Sequence, residues 1–323
     1  MLVAMRRWAF DRRTFLAGGA AVFAAGPAAA IEVEVDEGPT SLIPAPAPYV
    51  PPADLRTIVD LYRRMTVPVR VNGGGPFPFV VDTGANQSVI SDTLAGQLAL
   101  ARGPEELLNG VAGAQMAPTT TARLDVGGRS EAGVMLSVLP EASIGGLGML
   151  GVDRLTGQVL TLDFAGRRLV IAEARRVRGD PRDIVMTAHR RDGQLTLVDA
   201  DLAGTPVIAF LDSGAQSTIG NIALRDLAVA RHPAMLWDQA PVVSATGQTI
   251  TAEIADFPGL RIGGMRLPSW PVAFADLHTF ELWSLLSRPA LMIGVDVLSR
   301  FDYVSLDFLR DQVRFRVPSA AQA

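Results

Sequence analysis

Two copies of one acidic tetrad are the residues of this chain best suited to chemistry. Asp82-Thr83-Gly84-Ala85 follows the apolar run Phe79-Val80-Val81, and Asp212-Ser213-Gly214-Ala215 follows Ala209-Phe210-Leu211, 130 residues further on. Two carboxylates brought to within about 3 Å cannot both ionise, so they share one proton. One then serves as base and the other as acid, which is sufficient to direct a water molecule at a peptide carbonyl.

The other tetrad positions are suited to supporting such a pair. Thr83 and Ser213 each supply a hydroxyl directly after the aspartate, and Gly84 and Gly214 let the backbone turn back so that amides approach the carboxylate. We therefore predict catalytic roles for Asp82 and Asp212 and supporting roles for these four residues. This chemistry needs neither a cofactor nor a metal.

Later segments repeat as well, which indicates a duplicated lobe. Met149 to Leu155 is echoed by Met292 to Leu298, and Leu162-Asp163-Phe164 by Leu306-Asp307-Phe308, at offsets of 143 to 144 residues. Because the tetrads are 130 residues apart, the second copy has gained about a dozen residues. We place them at Asp276 to Pro289.

Each tetrad is expected at the end of a β-hairpin and before a short helix. Val67 to Val71 and Phe77 to Val81 flank a Gly-rich turn, and Leu195 to Leu202 precedes a turn and the strand Val207 to Leu211. Ser91 and Asn221 are suited to cap helices over Asp92 to Leu100 and Ile222 to Ala230, respectively. The 31 glycines and 22 prolines also favour many short strands.

Taken together, these motifs resemble the retropepsin-like (clan AA) aspartic proteases over nearly all of residues 66–318. The resemblance implies an all-β, two-lobed acid-protease fold with pseudo-twofold duplication and a few short helices. It resembles the bacterial single-chain form, with one Asp-Thr-Gly and one Asp-Ser-Gly lobe. In that family the paired aspartates hold the water, the hydroxyls bond across the lobes, and Leu150-Gly151 and Ile293-Gly294 would support the active-site loops.

Substrate-covering flaps are implied by the same resemblance at Val111 to Pro118 and Val243 to Ile250, where this chain has no tyrosine. Ala85 and Ala215 stand where pepsin-like enzymes usually have a hydroxyl. Without that donor, the pKa values of the aspartates should be higher than in pepsin-type sites, which predicts an optimum of about pH 4 to 6.5.

The lobes are expected at residues 66–174 and 193–318, joined by a connector at 175–192. Residues 31–65 read as a Pro-rich linker or tail. Residues 1–30 resemble a twin-arginine signal peptide, with Arg12-Arg13 before a short Ala/Gly-rich stretch. The protein is therefore expected in the periplasm or otherwise exported, with no stable membrane span after signal removal.

Composition restricts the partners. Without the signal the chain has 25 basic and 32 acidic residues, a net charge of −7, which disfavours nucleic acid. The absence of cysteine excludes thiol catalysis and disulfides. Since both tetrads lie in one chain, the expected species is a monomer that acts on a peptide or protein substrate.

Two other interpretations remain to be weighed against hydrolysis. The tetrads could merely satisfy turns in a non-catalytic peptide-binding or scaffolding module of the same fold, although such a module needs neither carboxylate. His189, His232 and His278 are scattered without metal-ligand spacing, and Trp237, Trp270 and Trp283 are suited either to a binding cleft or to simple packing. An aspartic-type endopeptidase is the function that the sequence predicts.

Overall fold

The computed structural model describes residues 64–152, 158–173, 180–191, 194–257, 259–267 and 269–319, together with the backbone of three short strands before residue 60. The predicted signal peptide and most of the predicted linker lie outside the described residues. Strands dominate the described chain and helices are short, which confirms the all-β prediction.

The first half forms a sheet in which strands that are distant in sequence pair around the first tetrad. Its order is β1-β7-β8-β9-β6-β10-β5-β4-β3, and β8 also pairs with β4. The strands are β1 (Met5–Arg6), β2 (Ala53–Arg56), β3 (Ile58–Val59), β4 (Met65–Val71), β5 (Gly74–Val81), β6 (Val89–Ser91), β7 (Glu105–Gly110), β8 (Gly113–Val126), β9 (Arg129–Leu139), β10 (Gly148–Leu150), β11 (Gln158–Asp163) and β12 (Arg168–Glu173).

The second half repeats this strand order. The path β17-β18-β21-β16-β22-β15-β14-β13 follows β7-β8-β9-β6-β10-β5-β4-β3 position by position, as a duplicated lobe requires. The strands are β13 (Asp183–Arg191), β14 (Gln194–Leu202), β15 (Thr205–Leu211), β16 (Ile219–Gly220), β17 (Asp238–Val243), β18 (Thr249–Phe257), β19 (Leu260–Ile262), β20 (Met265–Leu267), β21 (Trp270–Phe274), β22 (Ala290–Ile293), β23 (Tyr303–Asp307) and β24 (Gln312–Arg316).

A shared sheet joins the halves, with β11 and β23 pairing antiparallel at its centre. Thr161 and Ser305 face each other there, and their hydroxyl oxygens lie 2.8 Å apart. On the outer sides, β2 pairs with β12 and β13 pairs with β24. Strand β2 therefore lies inside the predicted linker, and β13 begins inside the predicted connector.

Both predicted tetrad hairpins and both predicted caps are confirmed. Strand β4 pairs antiparallel with β5, and β14 with β15. Ser91 and Asn221 cap their helices by accepting from Leu94 N and Leu224 N. The helices are α1 (Asp92–Gln97), α2 (Glu141–Ile144), α3 (Ile222–Arg231), α4 (His278–Leu282) and α5 (Val295–Leu298). Helix α1 is shorter than predicted because Ala99 is left-handed, with φ of 49°.

The extra residues of the second copy lie in two places, which corrects the single insertion predicted at Asp276 to Pro289. Val89 pairs with Ser137 and Ile219 with Ala273, spacings of 48 and 54 residues, so six extra residues precede Ala273. From these partners to Met149 and Met292 the spacings are 12 and 19 residues, so seven more follow. The second group includes α4, and we call residues 276–289 the inserted segment.

Candidate active site

The first tetrad begins where β5 ends. Strand β10 pairs with β5 in parallel, so that Leu150 lies beside Val81, and Asp82 N donates to Leu150 O at 3.0 Å. Ala85 O then accepts from Val152 N at 2.8 Å. The loop from Asp82 to Ala85 is therefore held at both ends by the strand that carries the repeated apolar-apolar-Gly element.

The second tetrad has the same frame. Strand β22 pairs in parallel with β15, with Ile293 beside Leu211, and Asp212 N donates to Ile293 O at 2.9 Å. Val295 N donates to Ala215 O at 2.8 Å. The structure therefore places both apolar-apolar-Gly elements where the resemblance implied.

Reciprocal hydrogen bonds connect the two tetrads. Thr83 N donates to Ser213 Oγ at 3.0 Å, and Ser213 N donates to Thr83 Oγ1 at 3.0 Å. Thr83 Oγ1 donates to Leu211 O at 3.0 Å, and Ser213 Oγ donates to Val81 O at 2.7 Å. Each hydroxyl thus accepts from one half and donates to the other half's strand end, which fixes the separation of the aspartates.

The glycines allow each carboxylate to lie against the opposite tetrad. A Cβ built on Gly84 would lie 2.6 Å from Asp212 Oδ2, and one on Gly214 would lie 2.6 Å from Asp82 Oδ2. Any side chain at either position would force the carboxyl groups away. Gly84 and Gly214 also donate their N–H groups to Oδ1 of their own aspartates, each at 2.8 Å.

The two aspartates are completely buried, but their hydrogen bonding differs. Asp212 Oδ1 accepts a second bond, from Ala215 N at 2.9 Å, whereas among the described residues Asp82 Oδ1 accepts from Gly84 N alone. No donor of the described residues reaches Oδ2 of either aspartate. These two oxygens are the atoms left for a proton, a water molecule and a substrate.

Burial and mutual repulsion shift both carboxyl groups. Burial, and then the charge of Asp212, raise the pKa of Asp82 well above its usual range. Burial also raises the pKa of Asp212, to about 6, while the N–H groups of Gly214 and Ala215 act in the opposite direction. A pair with these values holds one shared proton over a pH range around neutrality.

The sequence analysis did not select the residues that support the tetrad loops from behind. Gly151 N donates to Ser88 Oγ and Gly294 N to Thr218 Oγ1, both at 3.1 Å. Asp296 accepts from Thr218 N at 3.0 Å and from its hydroxyl at 2.8 Å. The repeat carried this signal, because Ser88 and Thr218 share the 130-residue offset of the aspartates.

Two hairpins cover the site at the predicted flap positions. Strands β7 and β8 form the N-terminal flap, with its tip at Val111-Ala112, and β17 and β18 form the C-terminal flap, with its tip at Ser244 to Gln248. A cavity of about 380 Å³ lies beside the C-terminal flap, lined by Ser143 and Ile144 of α2, Gln216-Ser217 and strand β17.

The remaining candidates do not assemble into a second site. His278 contacts the N-terminal flap, and across the described residues no group of histidine, aspartate and glutamate is arranged to hold a metal ion. Trp283 packs on Phe210 with ring centroids 4.6 Å apart, and Trp237 packs on Phe257 and Phe274. Trp270 Nε1 donates to Asp296 Oδ2 at 3.0 Å. Among the described residues, no helix is long and apolar enough to span a membrane.

Comparison with known protein families agrees with this geometry. Residues 67–156 match the family described as "gag-polyprotein putative aspartyl protease". By this match the chain belongs to the retropepsin-like aspartic proteases, which confirms the resemblance seen in its motifs. The matched segment covers the first lobe with Asp82, and the second lobe repeats its strand order within the same chain. No curated protein matches the chain.

Proposed function

We propose that this aspartyl protease is an endopeptidase that cleaves peptide bonds with water activated between Asp82 and Asp212. The observation that carries the proposal is the reciprocal arrangement of the tetrads, in which each carboxylate lies against the glycine of the opposite half. Such an arrangement holds two carboxyl groups close enough to share a proton. A scaffold that only binds peptides has no need of it.

The unequal hydrogen bonding supports separate roles for the two aspartates. Asp212 receives two backbone N–H groups, which favour its ionised form, so it acts as the base. Asp82 holds the proton and donates it to the carbonyl oxygen while Asp212 takes a proton from the attacking water. The tetrahedral intermediate collapses when Asp212 returns that proton to the leaving amine and Asp82 regains its own from the former carbonyl oxygen.

Substrate access is proposed along the interface between the halves. The cavity beside β17 lies next to Gln216, four residues after Asp212, so an extended peptide crossing the tetrads would enter it. Its wall also contains Arg64, which is buried and donates to Ile144 O and Gly145 O, each at 3.1 Å. These bonds fix α2 as one side of the groove.

The test is cleavage of a diverse peptide mixture by the full chain, with the products sequenced. Asp82→Asn and Asp212→Asn should each abolish turnover, because an amide keeps the shape but cannot exchange the proton. Asp256→Asn, an exposed aspartate, is the matched control. A folded wild type that cuts nothing would favour the non-catalytic peptide-binding module, and turnover by either variant above a few per cent of wild type would remove the pair from the mechanism.

Export through a twin-arginine signal and action as a periplasmic monomer complete the proposal. The support for export is the motif at Arg12-Arg13, which lies outside the described residues. The support for a monomer is that both tetrads, both flaps and the shared sheet come from one chain.

A further inference from the structure

The tips of the two flaps are exchanged between the halves of the molecule. Val111, at the tip of the N-terminal flap, is completely buried in an apolar cluster of the second half that contains Phe210, Ile219 and Met292. Ala245, at the tip of the C-terminal flap, is completely buried in a cluster of the first half that contains Val80, Val89 and Met149. Each tip therefore crosses over the tetrads and fills a pocket on the far side.

These pockets lie directly beside the two aspartates. The cluster around Val111 includes Ala215, three residues after Asp212, and the cluster around Ala245 includes Ala85, three residues after Asp82. A peptide that reaches the carboxyl groups must present its neighbouring side chains at these same two places. As the structure stands, the flap tips occupy them.

The inserted segment holds the N-terminal flap in this position. His278 N donates to Val111 O at 2.7 Å, and His278 Nε2 lies 3.1 Å from Asn109 Oδ1. The flaps also contact each other, since a Cβ on Gly110 would collide with the hydroxyls of Ser244 and Thr246. Leu277, Phe280 and Trp283 of the same segment form part of the wall around Val111.

We propose, on the basis of the proposed function, that Val111 and Ala245 are resident competitors of the substrate. They fill the two pockets that receive the side chains on either side of the cleaved bond, and both tips withdraw before cleavage. The pocket beside Asp212 takes a bulky apolar side chain, because its present occupant is a valine and its wall is aromatic. The pocket beside Asp82 takes a smaller apolar side chain, because its occupant is an alanine and its wall is aliphatic.

A disulfide between the flap tips tests whether they must separate. The chain has no cysteine, so the full-length double variant Gly110→Cys with Thr246→Cys has a single possible disulfide. Oxidation, verified by mass, should lower peptide cleavage at least about 100-fold, and a reducing agent should restore it. The two single-cysteine variants are the controls and should not respond to the reductant. A cross-linked protein that cleaves at its reduced rate would overturn the proposal.

Shortening the plug is the second test and does not depend on the engineered bond. Val111→Ala should weaken the closed state, so kcat/KM should rise by roughly tenfold and the amide of His278 should exchange hydrogen for deuterium faster than in wild type. Val185→Ala, an exposed valine in β13, is the matched control for both readouts. A fall in kcat/KM or unchanged exchange would show that Val111 is only a packing residue.

The two proposals fail in different ways. If neither wild type nor the reduced double variant cuts any peptide, the proposed function is wrong, while hydrogen exchange in Val111→Ala still tests the plug. If wild type cleaves but its products show polar or charged residues on both sides of the cut, the proposed function stands and the assignment of the two apolar pockets is wrong.

Discussion

Replacing Asp212 by asparagine should abolish turnover and yet stabilise the folded protein at neutral pH. Burial raises the pKa of Asp212 from its usual value of 3.8 to about 6. Each pKa unit corresponds to about 1.4 kcal/mol, so the ionised carboxylate costs the folded state about 3 kcal/mol. An asparagine keeps the oxygen that accepts from Gly214 and Ala215 and places an N–H₂ group at Oδ2, where it can donate to Asp82.

The sign of this effect depends on pH. Below about pH 4 the carboxyl group is protonated in both the folded and the unfolded chain, so Asp212→Asn should change stability little. As pH rises from about 4 to 6 the unfolded chain loses its proton first, and the wild type loses stability that the variant keeps. Urea unfolding of both proteins at pH 3.5 and 7.5 measures this. The expected gain at pH 7.5 is about 3 kcal/mol, and an equal gain at both values or a loss at pH 7.5 would refute the reasoning.

Asp183→Asn is the control of opposite sign. Burial alone would raise the pKa of Asp183, but hydrogen bonds from Arg316, Arg314 and Tyr303 lower it to about 2. The contacts measure 2.6, 2.9 and 3.0 Å and attach β13 to the shared sheet. This stabilisation is present above the unfolded pKa of about 4 and is lost as pH falls towards 2. The variant should therefore lose about 2 kcal/mol at pH 7.5, where Asp212→Asn gains stability.

Three further outcomes are expected. Thr83→Ala and Ser213→Ala should each cost about 1 to 3 kcal/mol in urea unfolding, because each leaves a buried backbone N–H of the opposite tetrad without its acceptor; the exposed Thr93→Ala is the control, and unchanged melts in both would argue against the cross-half bonds. The profile of kcat/KM against pH should rise as Asp212 ionises near pH 6 and fall only where Asp82 loses its proton, which gives an optimum of about pH 6 to 7, at the upper end of the range predicted from sequence; an optimum near pH 3 would contradict it. Arg12→Lys with Arg13→Lys should keep the precursor in the cytoplasm, and unimpeded export of that variant, followed by cell fractionation, would show that another route reads the signal.

The parts of the fold that the sequence predicted are those set by local pattern. The tetrads, their hairpins and the caps at Ser91 and Asn221 depend on residues a few positions apart, and the structure has them where predicted. Strands β2 and β13 were not predicted, because they lie in Pro-rich or Arg-rich segments and form only by pairing with the edges of a sheet built from both halves. The exchange of the flap tips depends on the shape of pockets made by distant residues, which no local pattern encodes.

Duplication within one chain also allows the halves to differ, and the differences lie where the chemistry needs them. A dimer of identical chains would give both aspartates the same hydrogen bonds and leave the choice of acid and base to the substrate. Here Ala215 N adds a second donor to Asp212 alone, which favours its ionised form and leaves the proton on Asp82. The inserted segment places His278 against the N-terminal flap and aromatic residues around the pocket of Val111. The same loss of symmetry thus separates the roles of the aspartates and makes the two substrate pockets unequal, so this enzyme should bind a peptide in one direction.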